Sequence, residues 1–450
     1  MNVGVTHGGQ DAEKIEAPRP AQSGSGLLPQ RNVVKDPQRS ISQMRRGGVL
    51  YISYDGMLEP LGQSQVIAYL EHLVDLAPIH VISFEKPADR LDSGKVSALR
   101  ARLARSRIIW HPLTYHKAPS VPATLYDILC GTFLALWLTV LHRLTLVHAR
   151  SYPSALIGLV VKVLTGSRLL FDMRGLWADE RTDGGLWPPN GPLYRLVKKL
   201  EAVFLKHADH IVTLTEVSRH LIEDFPYLKN RSHAPISVIT TCADLDRFRP
   251  GAGPPPIVFT LGYLGSIGTW YLFDEVLLAF KAIRKHRPQA RLLVVNRTEH
   301  ALIWSKLEAH DIDPDLCTIR AADHADVPAI VAGMTVGAAI IKTVYSKLAS
   351  APTKLAEYLG CGVPCLGSMG VGDMGDILEG ERVGIALDAH DPAAIDAGVE
   401  RLLALCEDPL LHERCRAVAE RHFALSIGVA EYRVIYVRLL GQLANAEVAR

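Results

Sequence analysis

The chain has 450 residues, too many for one hydrophobic core and enough for two domains of ordinary size. Apolar residues make up 48% and charged residues 21%, a globular composition. A formal net charge of +2 excludes a global electrostatic pull toward nucleic acid or anionic lipid, so any such attraction has to come from local patches.

Residues 1–46 read as a polar, disordered leader: "EAPRPAQSGSGLLPQ" and its surroundings contain no aromatic residue and no apolar segment of the kind a secretory signal needs, and a cytoplasmic start is expected. Order is predicted to begin in "GGVLYISYDG", a short apolar strand that runs into the loop "DGMLEPLGQSQV" and then a helix. Further strands are read at "IHVISFE", "SRIIWHPL", "LVHARSY", "RLLFDMRG" and "HIVTLT", separated by helix-length stretches. Between them, Ile128–Leu141 is an apolar run of about 14 residues, shorter than the roughly 20 that span a bilayer, and is read as a buried helix of the first domain. The other reading is a monotopic membrane contact, helped by Arg100, Arg102, Arg105 and Arg107 just upstream.

The Gly/Pro cluster Pro250–Pro256 looks like a linker, and strand–helix alternation restarts after it with "IVFTLGYLG", "ARLLVVN", "CTIRAA", "VGAAII" and "VPCLGS". Such alternation builds parallel, doubly wound sheets. The expected fold class is therefore α/β, with two Rossmann-like domains at 47–250 and 251–425 and a last helix at 426–450. The seven cysteines show no paired spacing for zinc and are expected to be free, buried thiols in a reducing compartment; no metal site is expected.

Ligands of open parallel sheets sit at the C-terminal strand ends. Four sequence features fall there. Gly62 follows the first strand and is expected to open a helix with free N–H groups facing a cleft; a tight turn would explain it equally. Gly265 and Ser266 occupy the same position in the second domain, where glycine lets phosphate approach backbone amides. In "SAPTKLAEYLGCGVPCLGS", Ser350 is a candidate N-cap, Pro352 and Thr353 begin a helix, and Lys354 lies in its first turn against the helix dipole. A nucleotide diphosphate there would resolve that conflict, with Lys354 holding phosphate and Glu357 accepting from ribose hydroxyls; otherwise the two form an exposed pair. Gly372 and Asp373 of "GVGD" close the same corner. Finally His148, Arg150, Asp172, Arg174 and Glu180 gather after two strands of the first domain, although an Asp172–Arg174 pair could simply fix the loops and His148 could be an ordinary core histidine with its hydrogen bonds met.

At these residues the sequence resembles the GT-B glycosyltransferases, in particular the family 4 group, the glycosyl transferases group 1. The motifs "YDGMLEPLGQSQV", "HARSY", "FDMRGLWADE", "DLDRF", "YLGSIGTWY" and "PTKLAEYLGCGVP" carry the resemblance in order. It implies an N-terminal acceptor domain and a C-terminal donor domain facing a central cleft, with the last helix crossing back. It also implies retaining transfer from a nucleotide-diphosphate sugar, without a bound metal or other cofactor, to a glycan or lipid-linked hydroxyl acceptor. Gly62, Gly265, Ser266, Thr353, Lys354, Glu357, Gly372 and Asp373 would bind donor, His148, Arg150 and Lys354 would serve catalysis, and Asp172, Arg174 and Glu180 would face the acceptor. The chain departs from the family's pattern where Ala349 replaces the first of two signature glutamates and Arg150 stands in an H-x-H run. A nucleotide-sugar epimerase on the same fold and a catalytically degenerate partner subunit remain as rivals. The expected place is cytoplasmic, with peripheral contact to the inner membrane face, and no nucleic acid is expected as a partner.

Overall fold

The computed structural model describes residues 47–251, 253, 257–323 and 325–448, with only backbone described for 442–448; the expected leader at 1–46 lies outside these. The first sheet is built from β1 (Gly48–Ser53), β2 (Ile79–Glu85), β3 (Ile108–Thr114), β4 (Leu144–Arg150), β5 (Arg168–Asp172), β6 (His210–Thr213) and β7 (Ile236–Val238), in the order β3-β2-β1-β4-β5-β6-β7. The second contains β8 (Thr260–Leu264), β9 (Arg291–Val295), β10 (Cys317–Arg320), β11 (Val336–Ala339), β12 (Cys365–Ser368) and β13 (Gly384–Leu387), in the order β10-β9-β8-β11-β12-β13. Every pairing is parallel. Helices cover both faces of such sheets, so their central strands are continuous apolar runs; all of Gly48–Ser53 and Ile79–Glu85 is buried.

The helices that matter below are α1 (60–70, with a π-helical turn at Gln63–Ile67), α2 (Ser93–Arg105), α3 (Ser120–His142), α4 (Ser151–Thr165), α5 (Trp177–Asp183), α6 (Pro192–His207), α7 (Glu216–Glu223), α8 (Thr353–Gly360), α9 (Leu411–His422) and α10 (Leu425–Val448). One face of the first sheet shares a core with α3, α4 and α6. The other carries α1, α2 and α10, whose Tyr432, Tyr436 and Leu439 pack with Val49 and Tyr51 of β1. The last helix thus crosses back onto the first domain, as expected.

Two sequence expectations change here. The apolar run near residue 130 is a 23-residue helix, α3, and it is not buried. Its inward positions are mostly small: Ala123, Gly131 and Ala135, with Asp127 among them held by Tyr54 and His116. A side chain at Gly131 would sit 2.9 Å from the Phe84 ring, so the helix lies close to the sheet and its bulky residues point outward. Phe133 is 74% and Trp137 60% exposed. Although α3 is long and apolar enough to cross a membrane, it is the crossover between β3 and β4 of one sheet. The arginines of α2 do not assist it, because α2 lies on the opposite face of that sheet. Arg102 makes a two-pronged ion pair with Glu71, and Arg100 stacks over Trp110.

Candidate active site

The C-terminal strand ends of the two sheets face one cavity of about 1200 Å³. The domains are tied across it by the segment leading into α8. Thr215 Oγ1 donates to the Leu348 carbonyl at 2.9 Å, Thr241 Oγ1 to that of Ala351 at 2.8 Å, and the Ser346 N–H donates to Asp183 at 2.9 Å. Lys347 reaches Glu180 at 2.8 Å while its ammonium lies 3.9 Å from the centre of the Trp270 ring. This makes Glu180 a bridge between the domains as well as part of the cavity wall.

Lys354 is the residue with the most unusual surroundings. It is 7% exposed, and its Nζ has no hydrogen-bond partner among the described residues. Only ring faces meet it, Tyr271 at 3.9 Å and Tyr263 at 4.5 Å. Burial lowers its pKa to about 7 and raises that of Glu357, one turn on, to about 7. The first turn of α8 has no side-chain cap: the N-cap is Pro352, and the Leu355 N–H turns back to the Pro352 carbonyl at 3.0 Å. Ser350, expected as the cap, is two residues too early: it and Pro352 both have extended backbone, and the helix begins only at Thr353. Gly265 sits directly over the lysine. A side chain there would lie 3.8 Å from Nζ, and its φ of +99° is open to glycine at no cost. Gly265, Ser266, Thr353, Lys354 and Glu357 are therefore one corner, of which Thr353 lines the cavity while Lys354 lies buried behind it, a desolvated cation suited to an anion.

Other expected residues are placed differently. Gly372 and Asp373 lie at the domain junction, where the Asp373 carboxylate accepts from the N–H groups of Glu216 and Val217 at the start of α7 and a side chain at Gly372 would strike the Ser350 carbonyl at 2.3 Å. At Gly62 the backbone in close approach is the chain's own, since an added Cβ would lie 2.2 Å from the Gly56 carbonyl oxygen and 2.8 Å from Met57 Cα. We expect Gly62→Ala to cost about 1–3 kcal/mol through overpacking, read as a lower denaturation midpoint; a neutral substitution would restore Gly62 to a purely ligand-facing role.

In the first domain the structure separates His148 from Arg150. His148, 2% exposed, is enclosed between β4 and α10, with Nδ1 2.8 Å from Tyr436 Oη and Nε2 3.4 Å from Asp172. It does not line the cavity, and burial lowers its pKa. The expectation of a catalytic His148 is corrected on this geometry: its contacts position Asp172. Arg150, at the strand end, does line the cavity, as do Arg174 and Glu180. Asp172 is 1% exposed and lies 3.5 Å from Arg174 and 3.7 Å from Arg150. Burial alone would push its carboxyl up, but the charges of Arg174, His148 and Arg150 outweigh it and hold the pKa well below the usual range. Sequence reasoning missed Lys347, Trp270, Tyr271 and Thr241, whose roles depend on how the two domains meet. Trp270 and Tyr271 did leave a readable trace, as the end of the quoted motif "YLGSIGTWY".

Comparison with known proteins agrees with this arrangement. The model described as "Glycosyl transferase 4-like domain" matches residues 62–239, and "Glycosyl transferases group 1" matches 247–422. Among solved structures, the chain is similar to sucrose-phosphate synthase from Thermosynechococcus elongatus (16% identity, TM-score 0.69, covering 88% of this chain and 100% of that one). It is also similar to a glycosyltransferase from Rickettsia africae (14%, 0.63, 88% and 99%). A third is Anabaena HepE in complex with UDP and glucose (12%, 0.58, 90% and 100%). At these identities the likeness is one of fold. No curated protein matches the chain by sequence.

Proposed function

We propose, for a chain that belongs to the group 1 glycosyltransferases and has their GT-B fold, that it moves a sugar with retention from a nucleotide-diphosphate sugar onto a hydroxyl of a glycan or lipid-linked acceptor. The observation that carries the donor half is Lys354, a buried ammonium without a hydrogen-bond partner among the described residues, beneath Gly265 and in the first turn of α8, which no side chain caps. A diphosphate in that corner supplies the missing anion. HepE, of the same fold, was solved with UDP and with UDP-glucose, which supports a donor of this class here.

In this reading the diphosphate leaves against Lys354 and the amides of Ser266 and Thr353, which neutralise its growing charge without a metal, while the Gly265 N–H, bonded to the Val295 carbonyl at 2.9 Å, stays in the sheet edge and the residue contributes only its lack of a side chain. The acceptor hydroxyl attacks the anomeric carbon from the leaving-group side, and the departing phosphate oxygen takes its proton. The cavity carboxylates favour this course over a covalent glycosyl-enzyme, because each is held by a cation: Glu180 by Lys347, Glu59 by Lys86 and Asp55 by Arg150. Glu357 accepts from the ribose, Arg150 and Arg174 face the acceptor, and Ala349 leaves the recognition of the donor sugar to other groups. The enzyme works in the cytoplasm, with the outer face of α3 against the membrane.

The test is calorimetric titration with UDP, GDP and ADP. One of them is expected to bind, with proton uptake above pH 7, because the anion raises a Lys354 pKa that is about 7 in the empty site. Affinity should therefore fall as pH rises from 7 to 9. A tight but pH-independent nucleotide would remove Lys354 from the phosphate site. Turnover of the nucleotide sugar to an isomer without any acceptor would favour the epimerase.

A further inference from the structure

The cavity is larger than a nucleotide sugar requires, and its two ends differ in chemistry. Small-ligand pockets usually occupy about 300–1,000 Å³, and this one is about 1200 Å³. Around its domain-facing end lie Arg150, Arg174, Lys347 and Thr353. Its other arm runs between α3, α4 and α6. Tyr152 and Phe204 form the floor, and Leu125, Leu156, Leu196 and Leu200 stand along the walls. Apart from Ser120 and Thr124, the part of this arm lent by α3 is aliphatic. The whole cavity is bordered by five cations (Lys86, Arg150, Arg174, Arg181, Lys347) against three carboxylates (Asp55, Glu59, Glu180).

The apolar arm does not end at a polar rim. Leu125 and Leu196 are 55% and 54% exposed, and beyond Leu125 the outer face of α3 continues through Leu129, Phe133, Trp137 and Val140. From Ser120 to Leu141 the only charged residue of α3 is the buried Asp127. Val163 and Leu164 at the end of α4 are exposed as well. On α6, Arg195, Lys199 and Lys206 are exposed, Arg195 and Lys199 each directly preceding a groove leucine (Leu196 and Leu200), so the helix that walls the groove also carries exposed cations. A hydrocarbon chain can thus pass from an apolar phase into the groove without crossing water, and the positive surface beside it complements anionic headgroups.

We infer that the acceptor is a phosphate-bearing lipid whose hydrocarbon chain lies in the groove between α3, α4 and α6, with its polar head toward Arg150 at the domain-facing end. This rests on the glycosyltransferase reading and names the acceptor class for that site. The small inner residues of α3 acquire a purpose in it: they bring the helix close to the sheet, so that its bulky residues are left for the groove wall and the lipid-facing surface.

The experiment is titration of the full chain with inorganic phosphate and with butyl, hexyl, octyl and decyl phosphate, each below its micellar concentration, with UDP titrated in parallel. Each added methylene buried should tighten binding by about two- to fourfold, with inorganic phosphate weakest. Leu125→Glu with Leu196→Glu, both at half-exposed positions where folding tolerates charge, should flatten that dependence. Phe133→Glu with Trp137→Glu, on the outer face, should leave it intact. The groove assignment is overturned by binding that ignores chain length, by a dependence that survives the Leu125/Leu196 pair, or by one that vanishes with the Phe133/Trp137 pair, which marks surface adsorption. Intact UDP binding alongside any of these leaves the glycosyltransferase reading standing; failure of every nucleotide to bind counts against that reading itself.

Discussion

Lys354→Met is expected to slow sugar transfer by orders of magnitude while leaving the protein at least as stable as the parent. Two effects oppose each other at this residue. The ring faces of Tyr263 and Tyr271 attract the ammonium, and such contacts are worth about 0.5–2 kcal/mol each. Desolvation works against it, and nothing among the described residues donates to or accepts from Nζ to compensate. The fall of the pKa to about 7 tells which wins: the empty site disfavours the charge. Methionine keeps most of the volume and removes the charge, so the variant should melt no lower than the parent at pH 7, where a buried unpaired cation typically costs on the order of 1–4 kcal/mol. Transfer should drop by about 10²–10³, the range for losing one preorganised charge-stabilising group, and nucleotide affinity should fall with it. The stability gain, if any, should grow as pH falls from 10 to 7, since a lysine with a lowered folded pKa destabilises most where it is forced to stay protonated. A variant that melts well below the parent and transfers sugar normally would make Lys354 a core residue held by its tyrosines.

Unfavourable local electrostatics are what make the corner around Lys354 stand out in the sequence. A lysine in the first turn of a helix violates a local electrostatic rule, and such violations gather where a ligand restores the balance. The two parallel sheets were legible for a different reason: strands buried on both faces are unbroken apolar runs separated by helix-length spacers, whereas the pairing of Val49 with Ile79 is seen only in the structure. Legibility stopped where the answer depended on contacts between distant segments. His148 and Arg150 are two apart on β4 and share a face, yet α10, nearly 290 residues later, covers one and leaves the other at the cavity. The outward face of α3 was misread because an apolar helix has the same pattern whether protein or lipid covers it. Only the small inner residues (Ala123, Gly131, Ala135) hint at which side meets the sheet. Gly62 shows the same limit, as a glycine before a helix is equally suited to a ligand or to the chain's own backbone.

Asp172 is where the second large effect is expected, and it separates a structural from a chemical role. Its carboxylate lies between two guanidinium groups and accepts from Tyr432 Oη at 3.1 Å, with His148 behind it. Asp172→Asn preserves the shape but leaves Arg150 and Arg174 without a buried counter-charge. Breaking such a pair from one side costs about 3–5 kcal/mol, far more than an exposed ion pair would. A carboxylate with a depressed folded pKa contributes its full stabilisation above the unfolded value near 3.9 and loses it as pH falls through the folded one. The parent–variant difference in denaturation midpoint should therefore be flat from pH 5 to 8 and shrink below pH 4. Because Tyr432 and Tyr436 belong to α10, the loss should also loosen the crossing helix from the first domain, visible as faster amide exchange in that helix. Arg150 would lose its anchor at the cavity, so acceptor-side KM should rise before kcat falls. If the asparagine variant instead keeps its midpoint and loses only kcat, Asp172 acts on the acceptor hydroxyl, and the front-face mechanism, which needs no protein base, would give way to one that does.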